Sequence, residues 1–139
     1  MRTLSIDYGD KRIGVAISDP LGIIATGIAV IGKGETFEQD IQEISSLIKK
    51  YDGVDEIVVG LPKRMSGAAG LQVEKVMKFV DALRQAFKIN IVTSDERLTT
   101  VEAERALIAT VMSLEKRKQV IDMSAAAVIL QSYLDRKKK

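Results

Sequence analysis

Three carboxylates stand where solvation alone does not explain them. Asp7 interrupts "LSIDYGDKRIGVAIS" (residues 4–18), which otherwise reads as a buried strand closed by a glycine-bracketed turn. An ionised acid among apolar neighbours costs on the order of several kcal/mol unless something satisfies it. An isolated aspartate before a glycine is ordinarily a turn former. Glu96, between Asp95 and Arg97, follows the strand-like "INIVTS" of residues 89–94. A surface ion pair with Arg97 would explain that triplet by itself, but ligand crevices lie outside the carboxyl ends of parallel strands. Asp122 falls on one helical stripe with Ala126, Ile129 and Tyr133. A first-turn acid serving the helix dipole would face outward, whereas this one lies on the apolar face. The small residues Ala125, Ala126 and Ala127 let that helix approach a sheet closely and bring Asp122 toward Asp7.

Carboxylates crowded together raise one another's pKa, so they protonate or share a cation. The chain has no histidine and no cysteine. That excludes Ser-His-Asp and Cys-His catalysis, thiolate chemistry, disulfides and the usual transition-metal ligands. A hard divalent ion, Mg²⁺ or Mn²⁺, is what oxygen ligands alone select, and such sites serve phosphoryl transfer.

The elements that must position these acids are readable from pattern. Residues 3–8, 13–18 and 23–31 are β-branched segments separated by "GDK" and "DPLG", which predicts an antiparallel meander. Thr36 and Gln39 form a capping box before Phe37, Ile41, Ile44, Ile48 and Tyr51, an apolar helical face. "EIVVGLP" at 56–62 reads as a central strand buried on both sides. The loop "KRMSGAAG" precedes a second helix carrying Val73, Val76, Met77, Val80, Leu83 and Phe87, and "INIVTS" is a further strand. Thr99 and Glu102 cap a helix to about residue 111, "MSLEKRKQ" breaks the rhythm, and residues 120–135 form the last helix. The order βββ-α-β-α-β-α-α implies an α/β fold, a mixed sheet with helices on its faces.

A chain of 139 residues with 46% apolar side chains is the size of one domain, 1–139, with the basic end of 135–139 expected to fray. No leader-like start and no apolar run of about 18 residues is visible, so a cytoplasmic protein without a membrane partner is expected. Net charge is only +2, but residues 1–69 carry 8 bases and 10 acids and residues 70–139 carry 13 and 9. Lys63 and Arg64 follow the "GLP" strand end, Arg97 adjoins Glu96, and Lys116, Arg117 and Lys118 precede Asp122. Bases beside each candidate acid are the footprint of phosphate-backbone contacts, although most lysine clusters are solvated loop charge. Aromatic residues make up 4% of the chain, too few for base-stacking platforms, so structured or duplex nucleic acid suits the composition better than single strands.

The stretches "DYGDKRIGVAISD", "GLPKRMSG", "DERLTTVEAE" and "KRKQVIDMSAAAVILQSYLD" together closely resemble the YqgF family of RNase H-like nucleases. The resemblance covers nearly the whole chain. It implies the RNase H fold, a five-stranded mixed sheet with helices on both faces, and metal-binding catalytic acids at Asp7, Glu96 and Asp122. It further implies a nuclease maturing the 5′ end of pre-16S rRNA in ribosome biogenesis, or a Holliday junction resolvase acting on branched DNA. One departure from the wider RNase H pattern is that "EIVVGLP" ends without a carboxylate, so Glu96 must stand in, with Asp95 as its alternative. A non-catalytic assembly factor would keep the same fold. An actin-like ATPase shares the strand–turn–strand start but closes two domains around its nucleotide. Either a monomer or a homodimer is compatible with the sequence.

Overall fold

The computed structural model describes residues 2–9, 11–62, 67–96 and 114–137, with side chains except at 62, 67–72, 95, 96 and 114–123. Strands β1 (Arg2–Tyr8), β2 (Arg12–Ser18) and β3 (Ala25–Gly32) form the antiparallel meander expected from their turns. They are followed by α1 (Phe37–Lys50), β4 (Val54–Pro62), α2 (Gly67–Ala86), β5 (Asn90–Glu96) and α3 (Leu114–Lys137). The sheet order is β3-β2-β1-β4-β5, with β4 parallel to both β1 and β5. The carboxyl ends of three parallel strands therefore share one edge.

Strand alternation divides β1 between two environments. Leu4, Ile6 and Tyr8 join the larger core with Ile44 and Ile48 of α1 and Phe79, Val80 and Leu83 of α2. The Tyr8 ring stacks on Phe79 at 4.3 Å between centroids. Burial and the negative charge of Asp40 push the Tyr8 phenol up to about 12, so it stays neutral at any ordinary pH. The capping box at Thr36 and Gln39 is formed as the sequence predicts, and buried Asp40 accepts from Gly34 N at 2.8 Å.

Thr3, Ser5 and Asp7 lie on the opposite face, beneath α3. Here Ala16 of β2 packs with Ala126, Leu130 and Leu134. Helices thus cover both faces, as expected.

Several boundaries differ from the sequence reading. β3 begins at Ala25, not at Ile23, because the Asp19 carboxylate accepts backbone N–H groups from Leu21, Ile23 and Ile24 at 3.3, 2.7 and 2.8 Å. Gly22, at φ +71°, closes this turn in the left-handed region that favours glycine. α2 begins at Gly67, inside the predicted loop; Ala68 and Ala69 are strong helix formers. α3 begins at Leu114, through the stretch that breaks the apolar rhythm, since Glu, Lys, Arg and Gln lose little rotamer freedom in a helix. It continues to Lys137, two residues beyond the predicted end. The helix predicted over 99–111 lies outside the described residues, and among those described no helix is long and apolar enough to cross a membrane.

The three N–H donors hold the Asp19 pKa below the ordinary value of 3.8. A depressed carboxylate stabilises the fold above its unfolded pKa and loses that contribution as pH falls through the folded one. Asp19→Asn should therefore lower Tm at pH 7, and the gap to the wild type should close as pH drops below about 4. Parallel thermal melts from pH 7 to pH 2 check this; a gap that persists at pH 2 would contradict it.

Candidate active site

Asp7 is half-buried, one residue before the end of β1. The turn behind it is tight: Gly9 N donates to Arg12 O at 3.0 Å, and a Cβ on Gly9 would sit 2.7 Å from that oxygen. Only glycine lets the chain leave β1 and re-enter as β2 here.

Across the sheet, Asp7 pairs with Gly14. On its other side, the β1–β4 register ends at Ile6 beside Val59, and one further step sets Gly60 beside Asp7. Gly60 in turn pairs with Ser94. The row is Gly14–Asp7–Gly60–Ser94, so neither neighbouring strand raises a side chain beside the carboxylate. β4 contributes no acid at its end, as its sequence requires.

Glu96 lies within β5, opposite Pro62, rather than just beyond the strand. Ser94 receives a hydrogen bond from α3, from Arg136 Nη2 to Ser94 Oγ, which fixes its face of the sheet. With a period of two, position 96 shares that face, and so shares it with Asp7; position 95 has the opposite parity. Two strand spacings, about 10 Å, separate β5 from β1.

α3 carries position 122. Ser5 Oγ donates to Ala126 O at 2.6 Å, a contact between a strand side chain and a helix backbone that only small residues permit. Ala125 and Ala126 are 1% and 0% exposed, as the alanine run predicts. Further along, Gln131 accepts from Ala25 N and donates to Ile23 O, both at 2.9 Å. Ala25 pairs with Ser18, whose hydroxyl accepts from Thr3 N at the start of β1. From residue 131 back to 126, α3 therefore runs from the start of β1 toward Ser5. One more turn back, about 6 Å, reaches position 122. Two residues onward from Ser5, about 7 Å in the same direction, is Asp7.

Backbone placement thus sets positions 7, 96 and 122 on one face and toward one edge of the sheet. The side chains of Glu96 and Asp122 are outside the described set, and among the described residues no three acids are grouped to hold a metal. Lys63, Arg64 and Arg97 also lie outside the described residues. Lys116, Arg117 and Lys118 are in the first turns of α3, N-terminal to position 122. Sequence reasoning overlooked Ser5, Gln131, Ser94 and Arg136, the residues that pin α3. The polar alternation Thr3, Ser5, Asp7 in β1 was a visible sign that this face makes polar contacts, as Ser5 does to the backbone of α3.

Residues 1–136 match the RuvX family, described as Holliday junction resolvase. This chain belongs to that family. A relative from Caldanaerobacter subterraneus subsp. tengcongensis, named "Putative pre-16S rRNA nuclease", is 54% identical over 139 residues, 99% of each chain. One of the same name from Halothermothrix orenii is 50% identical and covers 100% of this chain and 98% of its own. Both family and relatives carry nuclease names. Among solved structures, T. thermophilus RuvC in complex with a Holliday junction substrate aligns at TM-score 0.57 and 12% identity, over 99% of this chain and 96% of that one. Fowlpox virus resolvase with its junction DNA aligns at TM-score 0.59 and 15% identity over the full length of both. At such identities the likeness concerns the fold, and it agrees with the RNase H-like arrangement described above.

Proposed function

We propose that this RuvX-family chain is a cytoplasmic, Mg²⁺- or Mn²⁺-dependent endonuclease that hydrolyses phosphodiesters in structured nucleic acid, with the 5′ end of pre-16S rRNA as its substrate. The observation that carries the reading is the placement of position 7 between two glycines, with positions 96 and 122 on the same face of the sheet. The donor set fits a hard cation: carboxylate oxygen is the acidic ligand available to a chain without His or Cys. Asp7, Glu96 and Asp122 would hold the ion. When bound, it supplies Lewis-acid polarisation of the phosphoryl group and activation of water.

The chain's own residues orient the substrate. Gly14 and Gly60 set no side chain of β2 or β4 beside Asp7, which suits the approach of a sugar–phosphate backbone to the carboxylate. Lys63, Arg64, Arg97, Lys116, Arg117 and Lys118, which adjoin β4, β5 and position 122 in the sequence, supply phosphate contacts. Strand parity favours Glu96 over Asp95 as the β5 acid. Glu96→Gln should therefore reduce cleavage by about 100-fold or more, while Asp95→Asn stays within a few-fold of the wild type. Rates on one labelled substrate decide between them, and equal losses would reject the parity argument.

The pre-16S name of relatives at 50% identity or more supports RNA over DNA. The test is incubation of purified protein with labelled precursor rRNA and with a four-way DNA junction, in Mg²⁺ and in Mn²⁺, beside Asp122→Asn. Cleavage of the RNA by the wild type alone is the expected result. Cleavage by both proteins alike would reject the site. Preferential cutting of the junction would favour resolvase action, which calls for a symmetric dimer because two opposed strands are cut.

A further inference from the structure

The last turn of α3 lies over β5, and its charges are not equivalent. Lys137 Nζ contacts Glu56 Oε1 at 2.9 Å, and the other Glu56 oxygen accepts from Asn90 Nδ2 at 3.1 Å. Burial and the neighbouring Glu56 carboxylate raise the Tyr133 pKa, and Glu56 itself is only 8% exposed. The exposed Lys137 charge is thus paired with a buried carboxylate. Arg136 is placed differently: its Nη2 reaches the neutral hydroxyl of Ser94 at 2.6 Å, and among the described residues no carboxylate pairs with it. Thr93, Ser94, Tyr133, Arg136 and Lys137 line an open recess of about 430 Å³. Ser94 belongs to the Asp7 row, two strands away.

A guanidinium carries five donors, of which one bond to a hydroxyl uses one and cancels no charge. Among the described residues no carboxylate compensates it, and the Ser94 that holds it is about 10 Å from the row position of Asp7. That separation is within the span of a few consecutive nucleotides of one strand.

We propose that Arg136, steadied by Ser94 and backed by the Glu56 anchor, is a seat for a backbone phosphate of the substrate strand, close to but distinct from the bond that is cut. This inference rests on the nuclease reading and adds to it a contact at the far end of α3. It adds Arg136, in the basic end of the chain, to the residues that bind substrate.

The test is the salt dependence of binding of a labelled, helix-containing precursor rRNA fragment, with a chelator present so that no cleavage occurs. Arg136→Gln should lower the slope of log K against log salt by about 0.7–0.9, the share of one phosphate contact, with a several-fold loss of affinity at low salt. Arg136→Lys should keep the slope, and Lys49→Gln on α1 should change neither quantity. Ser94→Ala, which releases the guanidinium without removing charge, should weaken binding while leaving the slope. An unchanged slope in Arg136→Gln, with a wild type that binds and cleaves, overturns this inference alone. A wild type that neither binds nor cleaves RNA or junction DNA overturns the nuclease reading and this inference with it.

Discussion

Asp7→Asn is expected to abolish turnover while leaving a folded protein that still binds RNA. Asparagine is nearly the same size and keeps one carbonyl oxygen, but it cannot carry the negative charge that recruits a divalent ion. Metal stabilisation of the developing phosphoryl charge is worth several kcal/mol. At about 1.36 kcal/mol per factor of ten, a loss of roughly 3–5 kcal/mol means about 10²–10⁴ in rate. Asp7 is half-buried and pairs with Gly14, which sets no side chain of β2 against the amide. Single-turnover cleavage of labelled precursor rRNA measures the loss, and fluorescence anisotropy measures the retained affinity. Wild-type rates in the variant would remove Asp7 from the chemistry altogether.

Phe79→Ala should destabilise the protein more than any change at the site edge. The ring is 0% exposed, stacks on Tyr8 at 4.3 Å and meets Phe37 edge-on at 5.7 Å. Deleting a buried phenyl costs about 3–5 kcal/mol, because the transfer energy is lost and the cavity only partly collapses. For a chain of this size that corresponds to a Tm drop of roughly 10–20 °C. Tyr8 follows Asp7 directly in β1, so the cavity also loosens the strand end that presents the carboxylate. Differential scanning calorimetry would record the shift; a loss below about 1 kcal/mol would mean that α2 does not bear on β1 as described. Phe79→Leu, which refills most of the volume, should recover much of the stability.

Local signals were reliable where physical causes are local. The capping box at Thr36, the glycine turn at Gly9 and the β-branched runs of β1 and β2 act within a few residues, and each reading holds in the structure. Readings based on apolar rhythm alone misplaced boundaries. Ile23 and Ile24 look like strand, yet Asp19 takes their N–H groups into a turn that leaves them 43% and 61% exposed. The charged start of α3 looks like a break, yet its straight-chain residues are good helix formers.

By itself the sequence determined the element types, the antiparallel start and the residue classes available for chemistry: oxygen ligands and bases, with neither imidazole nor thiol. Those properties belong to side-chain identity and to hydrogen bonds between near neighbours. The tertiary structure alone decided which acid of the pair at 95 and 96 shares the Asp7 face, that glycines flank Asp7 on both adjoining strands, and that α3 runs back toward the end of β1. It also separated Lys137, bound to Glu56, from Arg136, left to Ser94. Register and helix direction arise from contacts between residues as much as 121 apart in the chain, as Ser5 and Ala126 are. No short-range pattern encodes such a pairing, because it is set by how whole surfaces fit together.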